Sequence, residues 1–411
     1  MVSKHYRFTE TRLMRGWVPI VYLSLQVFTL SANAAMTIDE AVEIAQKNDP
    51  WLEGSVHRQH ALEARSTAAS TMPDPMLNLG FANLPTDTFD FDQEAMTQFK
   101  VGVTQTIPRG ESLELRQEQL ATQGTQQPLL REDRKAKVSV SVSHLWLDAY
   151  RATETIRLIE NDRELFEHLV DVAQSSYTST VGKTRQQDLI RAQLELTRLE
   201  DRLTVLNERL DISRSRLGEW LLPRAPGSQA QWQYARTDWQ ELPTDLPVLP
   251  LPQPGLFSRD HTPEPQEIAT HLVSHPAILN LDAKIAASAT GIKLAEQKYK
   301  PEWKVNASYG YRDDAPNGID RSDFFSFGVA VDLPLFTSNR QDKQVQSAVA
   351  TTESVRTEKA LLLRNMVAAF DTQRSRLLRL DERSELYQSR LLLEMHEQAE
   401  ASLTAYTNDD G

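Results

Sequence analysis

Residues 98–108 read Gln98-Phe99-Lys100-Val101-Gly102-Val103-Thr104-Gln105-Thr106-Ile107-Pro108, and residues 325–334 read Phe325-Ser326-Phe327-Gly328-Val329-Ala330-Val331-Asp332-Leu333-Pro334. Phe99, Val101, Val103 and Ile107 fall on one side of the first stretch, if it is extended. Phe325, Phe327, Val329, Val331 and Leu333 fall on one side of the second. The alternate positions are small or polar. Period-two alternation over about ten residues predicts a β-strand with two unlike faces. The two stretches also match by number: Phe99 and Phe325, Gly102 and Gly328, Val103 and Val329, Pro108 and Pro334 each lie 226 residues apart.

The offset extends outward. Pro50, Pro75 and Pro108 are spaced by 25 and 33 residues, and Pro276, Pro301 and Pro334 repeat those spacings. In a chain with 20 prolines, three could align by accident. Joint agreement of prolines, glycines and apolar pattern points instead to two copies of one unit. The first is read as residues 35–222 and the second as 266–411, joined by 223–265. The run Leu246-Pro247-Val248-Leu249-Pro250-Leu251-Pro252 argues against regular helix in that connector. Each unit opens with a helix, from the Thr37–Glu40 capping box in the first and over Ile278–Lys298 in the second. A second strand precedes or follows in each: Met76–Leu84 and Trp303–Tyr311 alternate like the opening pair.

Long helices come next. One helix is predicted from Arg109 to Ser176, with Gly124 and Pro128 as its candidate break. Val138, Val142, Leu145, Ala149, Ala152, Ile156 and Ile159 recur at alternating spacings of 4 and 3, a heptad seam. A turn falls at Tyr177-Thr178-Ser179-Thr180-Val181-Gly182, after which Leu189, Ala192, Leu196, Leu199, Leu203, Leu206 and Leu210 continue the heptad. The prediction is a long antiparallel hairpin. In the second unit, Val345, Ala348, Thr352 and Val355 start a similar seam, which leads to Tyr406-Thr407-Asn408-Asp409-Asp410-Gly411. By comparison with Lys183–Leu222, a returning helix of 40 residues is expected to be missing, so the second unit is read as truncated at its turn.

Composition excludes several classes. The net charge of −12 and the lack of a basic cluster argue against nucleic acid. With no cysteine, disulfides, thiol catalysis and thiolate metal sites are ruled out. Lys4, His5, Arg7, Arg12 and Arg15 precede a mostly apolar Trp17–Leu30 and Ala32-Asn33-Ala34. This reads as a signal peptide over 1–34, since 14 residues fall short of the roughly 20 a spanning helix needs. No catalytic motif is found, and neither a cofactor nor a resident metal is expected. His57 and His60 share a helix face but have no third ligand, and His144 and His168 read as packing or surface groups.

Signal peptide, duplicated unit, paired strands and heptad hairpins together resemble the TolC family of outer-membrane efflux proteins. Met72-Pro73-Asp74-Pro75-Met76-Leu77-Asn78-Leu79-Gly80, Asn83-Leu84-Pro85 and Val101–Gly110 are similar to its heavy-metal-efflux branch. The resemblance implies a mainly α chain with a small β part. Long coiled-coil hairpins and four transmembrane strands per protomer would build a trimeric α/β-barrel. It implies a passive outer-membrane conduit for heavy-metal ions, extending into the periplasm. The implied partners are two further copies of itself, outer-membrane lipid, a periplasmic adaptor and an inner-membrane resistance-nodulation-division pump. Phe99, Val101, Val103, Phe325, Phe327 and Val329 would face lipid. The Tyr177–Gly182 turn would contact the adaptor, with Tyr406, Asp409, Asp410 and Gly411 at the second turn.

The alternation is also compatible with a soluble, half-buried sheet. A soluble periplasmic coiled-coil adaptor or structural protein therefore stands as the alternative.

Overall fold

The computed structural model describes residues 35–178, 185–222, 242–243, 245–251 and 253–407. The signal-peptide reading of 1–34 and part of the connector lie outside these residues.

In chain order, α1 (Ile38–Asn48) and α2 (Pro50–Ala69) precede β1 (Met76–Ala82) and β2 (Gln98–Ile107), then α3 (Ser112–Thr178) and α4 (Gln186–Leu221). A 3-10 turn at Pro254–Phe257 leads to α5 (Pro265–Leu272) and α6 (Pro276–Glu296), then β3 (Glu302–Tyr311) and β4 (Phe324–Asp332). α7 (Gln341–Leu386), a π-helical turn at Tyr387–Leu391 and α8 (Leu392–Thr407) close the described chain.

The opening helix of each half is broken in two, where one helix was expected. In the first half Thr37 closes the expected capping box over Glu40. Asp49 then starts α2, its carboxylate accepting from the Trp51 amide at 3.0 Å, with Pro50 in the first turn. In the second half His275 does the same: its Nδ1 accepts from the Ala277 amide at 3.1 Å, with Pro276 following. Proline fits a first turn because its missing N–H would be unpaired there. α5 begins where the connector was taken to end and precedes α6 as α1 precedes α2.

The four strands form one antiparallel sheet in the order β1-β2-β3-β4. Its central pair joins the two halves, with Val101 opposite Tyr309 and Ile107 opposite Trp303. β1 stops at Ala82 rather than Leu84, because Asn83 takes a left-handed φ of 57° and its side chain turns back to the Met96 carbonyl. Below the sheet, α2 packs on α3, α3 on α6 and α6 on α7. This is the order of the strands they feed, so sheet and helices form one continuous wall.

The 67-residue α3 is about 100 Å long and unbroken. Gly124 and Pro128 do not end it. They are four apart, so Pro128 leaves the Gly124 carbonyl without its helical N–H donor. Packing against α2 carries the helix through.

The hairpin of α3 and α4 holds the core. Ile38, Ala41 and Ala45 of α1 pack between Val138, Val142 and Trp146 of α3 and Leu217 and Leu221 of α4. Trp146 is fully buried, and its Nε1 donates to the Met36 carbonyl at 3.0 Å. Further along, the heptad residues Ala149, Ala152 and Ile156 meet Leu203 and Leu210. Thr352 and Val355 of the second seam are buried on α7, whereas Leu380, Leu386, Leu392 and Leu393 beyond them are exposed.

Candidate functional site

The sheet has two chemically different faces, and both are uncovered among the described residues. Phe325 and Phe327 on β4 are 73% and 65% exposed, and Val329 is 51% exposed. Val101 and Val103 on β2 are exposed on the same face, as are Leu77, Leu79 and Phe81 on β1. Phe99 is half-buried because its ring tilts against Phe81 at 5.2 Å. Scattered apolar exposure is ordinary, but a contiguous band over four strands marks a surface made for an apolar environment.

The opposite face is small and polar. Asn78 Nδ2 donates to Thr104 Oγ1 at 3.1 Å across β1 and β2. Glycine leaves room for a neighbouring side chain at two equivalent places. A Cβ on Gly102 would sit 3.1 Å from the Ser308 Cβ, and one on Gly328 would sit 2.7 Å from Asn306 Oδ1. Asn78, Thr104, Asn306 and Ser308 thus line an open groove of about 250 Å³ along this face.

Both ends of the sheet are tied across the halves. At the loop end, Arg312 Nη1 donates to the Ala95 carbonyl and Arg321 Nη1 to the Asp92 carbonyl, each at 3.0 Å. The Phe91 ring stacks on Tyr311 at 6.2 Å. Asp323 accepts from the Tyr309 hydroxyl and, at 2.9 Å, from the Arg312 amide. These two bonds, the phenol's first, hold the Asp323 carboxyl below the ordinary range. At the helix end, Arg109 donates to the Lys300 carbonyl at 2.9 Å and also reaches Asp332.

The hairpin tip is described only in part. Tyr177, 46% exposed, and Thr178 end α3, while Ser179, Thr180, Val181 and Gly182 lie outside the described residues. Tyr406 falls within α8, and Asp409, Asp410 and Gly411 lie outside the described residues.

His57 and His60 are both exposed, and His57 faces Glu53 at 3.7 Å. Among the described residues no three His, Asp or Glu side chains gather as a metal site. Among the same residues no helix is long and apolar enough to cross a membrane.

Two buried polar side chains escaped the reading of the sequence. Arg374 on α7 is 8% exposed and donates to the carbonyls of Leu256 at 2.9 Å, Ser258 at 2.8 Å and His261. Gln341, at the start of α7, is 6% exposed. Arg374 could have been suspected from its place among the apolar residues of α7, but nothing in the sequence pairs it with the connector.

The sequence matches no family model and no curated protein. Solved structures match the fold. Crystal structures of CusC, concerned with its folding and transmembrane channel formation, are 14% identical and cover 92% of this chain and 84% of that one, with a TM-score of 0.65. The outer membrane protein VceC from Vibrio cholerae is 13% identical over 90% of this chain and 86% of its own, with a TM-score of 0.66. The open state of the Neisseria gonorrhoeae MtrE outer membrane channel is 13% identical over 90% and 79%, at 0.59. At these identities the likeness is one of fold: this mainly helical chain with its small antiparallel sheet shares the architecture of those solved structures.

Proposed function

We propose that this chain is one protomer of an outer-membrane efflux channel, a passive conduit that catalyses nothing. The observation that carries the reading is the sheet with an exposed apolar face on one side and an exposed polar groove on the other. In lipid every backbone group must be paired, so a spanning sheet has to close on itself. β1 and β4 each have a free edge among the described residues. Copies joined β4 to β1 would remove both edges, with Val101, Val103, Phe327 and Val329 turned to lipid and Asn78, Thr104 and Asn306 to the lumen. The likeness in fold to outer-membrane channels supports this arrangement.

Finer points belong to the same reading. The assembly is a homotrimer, and its protomer consists of two units, 35–222 and 266–411, as the recurring order of elements suggests. The Tyr177–Gly182 segment, as the resemblance implies, meets a periplasmic adaptor, which in turn serves a resistance-nodulation-division pump. Heavy-metal ions are the proposed cargo, on the strength of the resemblance over residues 72–85 and 101–110.

Membrane fractionation followed by planar-bilayer recording tests the reading. Recovery in outer membranes, with discrete conductance steps from the purified protein, is expected. Recovery in the soluble periplasm would sink it and favour the adaptor alternative.

A further inference from the structure

Four charged side chains stand on the polar face of the sheet: Lys100 on β2, Glu302 and Lys304 on β3, and Asp332 on β4. Three of them are compensated. Lys304 reaches Glu302 at 3.8 Å, and Asp332 is held by Arg109. Lys100 has no hydrogen bond and no ion pair among the described residues. It is therefore the one uncompensated charge of this face among those residues.

The register supplies a second observation. Lys100 lies directly opposite Gly80 on β1 and Gly310 on β3, so neither neighbour across from it has a side chain. Over Gly310 the space is taken by the neutral amide of Gln98, and over Gly80 a Cβ would meet nothing within 4 Å. The half-buried lysine lies along the open groove of Asn78, Thr104, Asn306 and Ser308. All four are neutral, so nothing lining that groove with them cancels the ammonium charge.

We propose that Lys100 sets the charge preference of the barrel stage of the conduit, favouring anions over cations there. The inference deepens the channel reading and rests on it. Copies that close the sheet with this face inward each place one ammonium at the same height in the lumen. Such a ring of like charges repels cations and admits anions, because its field adds where the wall between is neutral. It acts on ions in passing and needs no bound ligand. The connections at the loop end, 83–97 and 312–323, have the opposite sign, with eight carboxylates against Arg312 and Arg321. The selectivity of the whole pore sums over both regions, so the change made at Lys100 isolates its part. A free divalent cation of the proposed cargo would cross this stage against the field.

The chain has no cysteine, so K100C carries a single thiol whose charge can be set after insertion. Reversal potentials across planar bilayers, in an about tenfold KCl gradient, are read after labelling with a water-soluble methanethiosulfonate that bears a sulfonate or a trimethylammonium. The sulfonate label is expected to raise the potassium-to-chloride permeability ratio at least about threefold over the trimethylammonium label. K100E should move the ratio the same way from the parent, and K100R should keep the parental value. Raising the salt on both sides should shrink the difference, because the Debye length falls from about 10 Å at 0.1 M to about 3 Å at 1 M. A conducting channel with the same ratio under either label would overturn the proposal. So would a thiol that mass spectrometry shows neither reagent reaches, a shift undiminished by salt, or K100R behaving like K100E. Failure of the parent itself to conduct sinks the channel reading, whereas conduction indifferent to the charge at this position refutes the lysine ring alone.

Discussion

Asp49 and Arg134 lock the first helix pair onto α3: Arg134 Nε donates to Asp49 Oδ2 at 2.7 Å, with the Asp49 side chain 3% exposed. The same carboxylate caps α2 through the Trp51 amide. One side chain thus sets the bend between α1 and α2 and fixes it against the hairpin. Asp49→Ala is expected to destabilise the chain by about 3 kcal/mol, from the lost cap and the stranded, partly buried Arg134. Asp49→Asn should recover the cap and about 1 kcal/mol of that loss. Denaturant melts of the three proteins decide it; equal midpoints for the Ala variant and the parent would remove Asp49 from this role.

The two faces of the sheet should respond oppositely to charge. Val101→Arg or Phe327→Arg is expected to cost about 2–4 kcal/mol if placed in lipid, enough to deplete the protein from outer membranes. Thr104→Arg, on the polar face, should insert normally. Immunoblots of fractionated membranes distinguish them. Equal insertion of all three variants would contradict the orientation of the sheet.

Arg374 is the clasp of the strap that runs from the 3-10 turn toward α5. Its guanidinium serves three carbonyls from a buried position, and Arg259 adds an ion pair to Glu385 at 3.1 Å. Arg374→Met should cost about 3 kcal/mol by leaving those carbonyls unserved. It should also make trypsin cut faster at Arg259. Arg374→Lys is not expected to restore the strap, because an ammonium lacks the planar fork. An unchanged digestion pattern in the Met variant would show that the strap holds without it.

Acid should loosen the outer loops before the helices. The Asp323 carboxyl is lowered by the Tyr309 hydroxyl and the Arg312 amide. A depressed carboxyl contributes its stabilisation above its unfolded pKa of about 3.9, and that contribution disappears as pH falls through the folded value. The loops are therefore expected to be unchanged from pH 7 to about 5 and to open below about 4. Pepsin cleavage within 312–323, followed by mass spectrometry, reads this directly. In Asp323→Asn the acid-triggered step should disappear; a step of the same size in that variant would assign the transition to other groups.

The strands and the main hairpin were legible because their signals are local and repeated. Alternation from Phe99 to Ile107 and from Phe325 to Leu333 placed β2 and β4 almost to the residue. The heptad from Val138 to Ile156 picked out residues that are buried on α3. The single helix read from Arg109 to Ser176 runs through Gly124 and Pro128 unbroken. Local rules missed the break at Asp49 and the helix at Pro265. There the signal is a cap and a short turn rather than a long apolar period.

The sequence by itself determined the period of each element and the pairing of like positions 226 residues apart. Those follow from side-chain spacing along one chain, and Asp49 and His275 capping equivalent helices are its clearest expression. Only the tertiary structure decided that β2 pairs with β3, so that the two halves share one sheet. Only it brought Arg116, Lys298, Arg340 and Gln341 around one cleft. α3, the turn after α6 and the start of α7 supply those residues, and charge brought together across a fold leaves no periodic trace in the chain. Whether a buried amide such as that of Gln341 is satisfied depends on its neighbours in space, and no spacing along the sequence encodes them.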